Sequence, residues 1–383
     1  MRENNGMDVI FETVKNKVEN LMEKIDPSDH MHEPGNAIDG KYTDKNRYVT
    51  FYSPFHWTHS FFLGMVAHFY SCCGDEKYRD YLFRAKNIYW RYLEGTKHMV
   101  AHDAGFLYSL YAVALYKLTG DSEMRRMALR AADEIGKRYQ FKPGMVDAFG
   151  DVYEENHENS VVLMIADDMM NMCLLMWAYE ETKHSFYKQV YRNHIDTSIT
   201  YLIRDDYSVR HAYYFDNCTG RPVCEMNYCG YAVGSHWARG TAWMIFGLTK
   251  ALKYTHDEVR YLQPLIGVTE KYLSELKGGF VPVWDFRVPG EEKTRKDTSA
   301  AAIVGCAFYS MKDIALQNVF LKKYVNLADK IYEELRNYLA DENSENILEK
   351  SQCGSIQAGS LWGDYFFVEL MMYKNGTCTD FWI

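Results

Sequence analysis

Acidic and cationic residues stand at the starts of the most apolar helical stretches of this 383-residue chain. His102-Asp103-Ala104-Gly105-Phe106 opens one stretch. Ala166-Asp167-Asp168-Met169-Met170-Asn171 opens another and runs into Leu174, Leu175 and Trp177. Trp237-Ala238-Arg239-Gly240-Thr241-Ala242-Trp243 opens a third, Lys296-Asp297-Thr298-Ser299-Ala300 a fourth, and Ser360-Leu361-Trp362-Gly363-Asp364 the last. Two carboxyls such as Asp103 and Asp167 can divide acid–base work, one holding a proton and the other a charge. A helix start opposes this, because its dipole favours the carboxylate. Burial among rings, or a second carboxylate within reach, must then raise the pKa of the acid. The plainer role for each Asp is to cap free N–H groups of the first turn. That suits Asp121 and Asp257 best, and one of the pair Asp167 and Asp168. Caps need no flanking His, Trp and Arg, so the set as a whole points to chemistry.

The elements that must position these residues are helices. Phe106, Leu107, Leu110, Tyr111, Ala114 and Leu118 trace one helical face that stops at Thr119-Gly120-Asp121. A second helix follows from Glu123 to about Tyr139, with Met127, Ala131 and Ile135 on one side. The pattern recurs: Cys73-Gly74-Asp75 precedes Lys77–Leu93, Thr182-Lys183-His184 precedes Phe186–Leu202, and Thr255-His256-Asp257 precedes Val259–Leu276. Repeated helix hairpins build a solenoid or a closed toroid. Six hairpins of roughly 30 residues plus loops, at ~1.5 Å rise per residue, fit this length. The expectation is an all-α chain, one (α/α)6 barrel forming a single domain over residues 1–383. Its inner helices are the apolar ones, and their amino ends converge on one mouth. An aromatic-rich segment, Tyr207–Phe215, reads as a loop or hairpin over one end.

Composition narrows the partners. With 47% apolar residues the chain can bury a large core. A net charge of −9 and no long basic run make nucleic acid and anionic membrane surfaces poor partners. Local cations would have to offset that field for any acidic substrate. Met1–Ile25 lacks the apolar core of a signal peptide, and no stretch approaches the roughly 20 apolar residues of a membrane span. Nine scattered cysteines without a C-x-x-C pair read as reduced cytosolic thiols. The His and Cys spacings suggest no metal, and no phosphate loop suggests a nucleotide, so no cofactor is expected. The 31 Tyr and 8 Trp suit stacking against sugar rings as well as core packing.

At these residues the chain resembles glycoside hydrolase family 88, the unsaturated glucuronyl hydrolases. The resemblance runs from Trp57 to about Glu369. It rests on ordered motifs that include Trp57-Thr58-His59-Ser60-Phe61-Phe62-Leu63-Gly64-Met65, those around Asp103, Asp167 and Arg239 given above, Tyr213-Tyr214-Phe215-Asp216, Trp284-Asp285-Phe286 and Trp362-Gly363-Asp364-Tyr365. The resemblance implies an (α/α)6 barrel without metal that acts on oligosaccharides ending in a Δ4,5-unsaturated uronic acid. The implied chemistry is hydration of the vinyl ether: a proton goes to C4, water adds at C5, and the hemiketal collapses.

By position, Asp167 is similar to the general acid/base and Asp103 to the second essential carboxylate. His102, His211, Trp237, Arg239 and Trp243 match positions lining the uronate site, and Trp57 one that stacks near it. Arg239 suits the substrate carboxylate, or equally a structural carboxylate such as Asp364. Two departures fall in the same site: Tyr228-Cys229 replaces the family's frequent His-Gln, and Phe149 replaces a common Trp. Ser351–Ser360 is unlike the forms associated with sulfate recognition. Rival readings are a sister hydrolase on unsaturated rhamnogalacturonan or ulvan fragments, an epimerase, and a glycan-binding protein without catalysis. Monomer and homo-oligomer are both open.

Overall fold

A helix that is apolar all round is stable only inside a protein, and one with a single apolar face only at its periphery. Both kinds alternate along this chain. The computed structural model describes residues 2–29, 34–44, 56–94, 102–150, 161–290 and 294–383. Among these, six nearly fully buried helical segments follow one another: His59–Cys73; Ala104–Tyr108 continued through a π-helical turn, Ser109–Val113, into Ala114–Thr119; Asp168–Asn171 with Cys173–Thr182; Ala238–Thr255; Thr298–Ser310; and Leu361–Asn375. Between and before them run Arg2–Lys24, Glu76–Arg84 with Lys86–Glu94, Ser122–Lys137, Ser185–Leu202, Glu258–Glu275 and Val319–Leu335. Each buried helix touches the next, and Leu361–Asn375 closes the ring against His59–Cys73, where the Tyr365 and Phe61 rings lie 5.5 Å apart. The molecule is an (α/α)6 barrel.

Local signals place most boundaries. Gly120, at φ 70°, ends one helix, and Asp121 accepts hydrogen bonds from Glu123 N and Met124 N to start the next. The continuous helix expected over Lys77–Leu93 is instead two, broken at Ala85. At the equivalent turns Lys183 and His256 take the left-handed conformation that glycine takes elsewhere.

An aromatic column fills the barrel axis. Trp57 packs on Phe106 at 5.8 Å, Phe106 on Trp243 at 5.3 Å, Trp243 on Phe366 at 5.3 Å, and Phe366 stacks on Trp382 at 5.8 Å. From Phe106 to Trp382 every ring of the column is fully buried. Fully burying a Phe side chain contributes about 1.5–3 kcal/mol, and these paired rings somewhat more.

The helical frame carries three small antiparallel sheets in its loops, beyond the all-helical expectation. One orders Val161–Ile165, Ala212–Asp216 and Pro222–Met226. The aromatic-rich segment thus enters a strand at Ala212. A second orders Lys41–Asp44, Pro34–Ile38, Ile356–Ser360 and Ser351–Cys353, feeding directly into helix Leu361–Asn375. Tyr139–Gln140 pairs with Met145–Val146. Among the described residues no helix is long and apolar enough to cross a membrane, and none of the nine cysteines is in a disulfide.

Candidate active site

Capping and chemistry separate at the helix starts. Asp75, Asp121, Asp257 and Asp297 each accept a backbone N–H of the helix they open. Asp103 and Asp167 occupy the same position at Ala104–Tyr108 and Asp168–Asn171, yet neither makes a side-chain cap bond. Both turn instead to a cavity of about 270 Å³ at the amino ends of the inner helices. Trp57, His102, Phe149, His211, Cys229, Trp237 and Arg239 line it with them. Trp243 is not among the lining residues: it is a rung of the buried column, between Phe106 and Phe366. Ile165 and Tyr228 also line the cavity. Neither was a candidate, since an isolated Ile carries no chemical signal and Tyr228 registered only as a departure from a motif.

Strand pairing and helix packing bring the carboxyls together. Ile165 pairs with Ala212, and Ala166 N donates to His211 O, which sets His211 beside Asp167 with its Nε2 3.8 Å from Asp167 Oδ2. His211 Nδ1 accepts the N–H groups of Tyr228 and Cys229 at 2.9 and 3.1 Å, so its proton resides on Nε2. Burial, and then the Arg239 charge, lower the His211 pKa to about 4, keeping the ring neutral. On the other side His102 Nε2 stands 3.6 Å from Asp103 Oδ1, while its Nδ1 lies 2.5 Å from Asp168 Oδ1. Burial alone would lower the His102 pKa. Asp168 and Asp103 outweigh it and raise the pKa to about 9, which favours the imidazolium. Asn171 ties the two helix starts: its Oδ1 accepts Phe106 N at 2.7 Å and its Nδ2 reaches Asp103 Oδ1 at 3.5 Å.

Asp167 is the poised group. Burial raises its pKa to about 6; His102 and Arg239 pull it down, and Asp103 and Asp168 push it up. Its Oδ2 has no hydrogen-bond partner among the described residues. A carboxyl so placed can donate a proton near neutral pH and take one back. Burial raises Asp103 as well, opposed first by the His102 charge.

Arg239 is committed on one edge. Its Nη1 meets Asp297 Oδ2 at 2.7 Å and donates to Gln352 O at 2.8 Å, so its buried partner is Asp297. Asp364, the carboxylate suggested by sequence, binds the N–H groups of Ile347 and Leu348 and the Tyr42 hydroxyl. The guanidinium lies between Trp237 and Trp362, 4.7 and 5.1 Å from the ring centres. At the rim, Phe149 sets an edge against His102 and Tyr228 one against His211. The Cys229 thiol, pushed up to about 11 by burial and by Asp167, stays neutral.

A helical toroid whose aromatic-walled pit holds two carboxyls side by side is the build of a carbohydrate-active enzyme, and this one is a glycoside hydrolase. Residues 34–369 match Glycosyl Hydrolase Family 88, and the chain belongs to that family. It is 28% identical over 335 residues to the unsaturated glucuronyl hydrolase of Bacillus sp. (strain GL1), covering 85% of this chain and 88% of the relative. Its identity to the unsaturated chondroitin disaccharide hydrolase of Streptococcus pyogenes serotype M1 is 30% over 335 residues, covering 83% of this chain and 82% of the relative. The crystal structure of the Bacillus sp. GL1 enzyme matches with a TM-score of 0.86 at 27% identity over 97% of each chain.

Proposed function

We propose that this enzyme removes Δ4,5-unsaturated uronic acid from the non-reducing end of lyase-generated, glycosaminoglycan-type oligosaccharides by hydrating the vinyl ether. The observation that carries the proposal is Asp167, protonatable near pH 6 and without a hydrogen-bond partner in a ring-lined pit. The names of the relatives supply the substrate class.

In this reading Asp167 gives its proton to C4, and positive charge develops at C5 and the ring oxygen. Water adds at C5 while Asp167 takes back a proton. The C5 hemiketal then opens to a ketone as the C5–O5 bond breaks. The former ring oxygen stays on C1 as a hemiacetal hydroxyl, and that hemiacetal collapses to an aldehyde, releasing the second sugar with the glycosidic oxygen as its hydroxyl. Asp103, as a carboxylate facing His102, can accept sugar hydroxyls and stabilise the cationic centre. His211, its tautomer fixed by Tyr228 and Cys229, can donate from Nε2 and cannot take the Asp167 proton. The Arg239 edge not used by Asp297 is the cation available to the uronate carboxylate. Trp57, Phe149 and Trp237 supply ring faces, and Cys229 puts a neutral thiol where the family often has an amide. All of residues 1–383 are taken as one catalytic domain. Nine cysteines without a disulfide, several of them exposed, fit a cytoplasmic setting.

The test follows the ultraviolet band of the unsaturated uronate, which hydration destroys. With unsaturated chondroitin, hyaluronan and heparin disaccharides, wild type should bleach the band, and folded Asp167→Asn should be slower by about 10²–10⁴-fold. Bleaching confined to plant or algal lyase products would transfer the enzyme to rhamnogalacturonan or ulvan fragments. Binding without bleaching would make it a glycan-binding protein.

A further inference from the structure

Asp168 is fully buried and cannot touch substrate, yet both of its oxygens face defined neighbours. Its Oδ2 accepts Ile165 N at 2.9 Å and lies 3.7 Å from His194 Nε2, and its Oδ1 lies 2.5 Å from His102 Nδ1. A buried carboxylate needs a compensating cation. His194 is not that cation: its Nδ1 accepts Val146 N at 3.0 Å, and burial holds it neutral, its pKa lowered to about 4. His102 is placed to be the counter-ion.

We propose that Asp168 is a positioning residue that holds His102 as an imidazolium with its Nε2 proton turned to Asp103, so that Asp103 keeps the charge and Asp167 the proton. The two carboxyls differ in the histidine each one faces. Asp103 has the charged His102 at 3.6 Å; Asp167 has the neutral His211 at 3.8 Å. Of the other groups around His102, Phe149 sets an uncharged ring edge against it, while Asn171 Nδ2, an amide donor, comes within 3.0 Å of His102 Nδ1 and competes there with Asp168. Arg138, bound to the Asp147 and Gly150 carbonyls, adds positive potential on the Asp103 side. Arg239 acts on Asp167 but is offset by Asp297. A simple capping role for Asp168 would explain the Ile165 bond and leave the contact to His102 without purpose.

The inference rests on the proposed roles of Asp103 and Asp167, and one of its two tests is independent of turnover. Nitrogen NMR of the wild-type protein at about pH 7.5 should show both His102 ring nitrogens protonated, against an ordinary histidine already neutral there. In Asp168→Asn one nitrogen should lose its proton. Without the imidazolium both carboxyls hold protons to higher pH, so both limbs of the pH–rate profile should move up, by roughly one unit. A neutral His102 in wild type overturns the inference, as does an Asp168→Asn profile that only loses height. If Asp168→Asn does not fold, the wild-type spectrum decides. Inactivity on unsaturated uronides would end the proposed function, and the His102 spectrum would still support or overturn the role of Asp168.

Discussion

Asp167 pays for its poise in stability. Its folded pKa of about 6 lies above the ordinary 3.8, so the folded state binds the proton more tightly than the unfolded chain. Below pH 3.8 both states are protonated and the residue is neutral to stability; as pH rises through 3.8 to 6 the unfolded state gains, and the cost is complete above 6. Asp167→Asn should therefore be more stable than wild type by up to about 3 kcal/mol at neutral pH, and equal to it near pH 3. Denaturant titrations at the two pH values measure this. Equal stability at neutral pH would mean that Asp167 is solvated and unfit to be the acid. Type and order of residues marked Asp103 and Asp167 as candidates, but only the family resemblance separated Asp167 from Asp168, one residue on. Only its contacts with Ile165 and His102 assign it a buried, supporting place.

At the scale of elements, the short helix Asp168–Asn171 is seated by two glycines. A side chain on Gly105 would collide with the backbone of Asn171, and one on Gly247 with Met169. These contacts bring Ala104–Tyr108 and Ala238–Thr255 close on either side of the segment that bears Asp167. Gly105→Ala should cost about 1–3 kcal/mol by overpacking and should lower kcat at saturating substrate by separating the Asp103 and Asp167 helix starts. Gly74→Ala, at a helix end with nothing nearby, is the control: it should cost about 1 kcal/mol through its φ of 68° and leave kcat unchanged. Equal kcat in the two variants would show that the spacing of the helix starts does not limit turnover. The strands at the mouth were harder to read. Val161–Ile165 is a short apolar run that periodicity cannot tell from a buried helix, and its pairing with Ala212–Asp216, which brings His211 to Asp167, joins segments some fifty residues apart.

At the scale of the whole molecule, the aromatic column ties the cavity floor to the far end of the barrel. Trp382 is its last ring, fully buried, packed on Phe106, Phe246, Tyr365 and Phe366, with its Nε1 bonded to Glu369. Trp382→Ala should destabilise the fold by about 3–5 kcal/mol, read by thermal or denaturant unfolding. The surviving activity should keep its pH profile, because no titrating cavity group changes partners. A shifted profile would show that the column tunes the site as well as supporting it.

The sequence by itself determined the alternation of apolar and amphipathic helices, the ring they close, and which polar residues stand at the inner helix starts. Periodicity and caps are local, acting within a few residues, so they survive in one dimension. Tertiary structure alone decided which of those residues face the cavity. It drew Trp243 into the column, paired Arg239 with Asp297 and not Asp364, fixed the His211 proton on Nε2, and divided neighbouring aspartates into one open to the cavity and one enclosed. Each of these outcomes depends on burial and on partners tens of residues away. Desolvation and charge act through space, and no spacing along the chain encodes them.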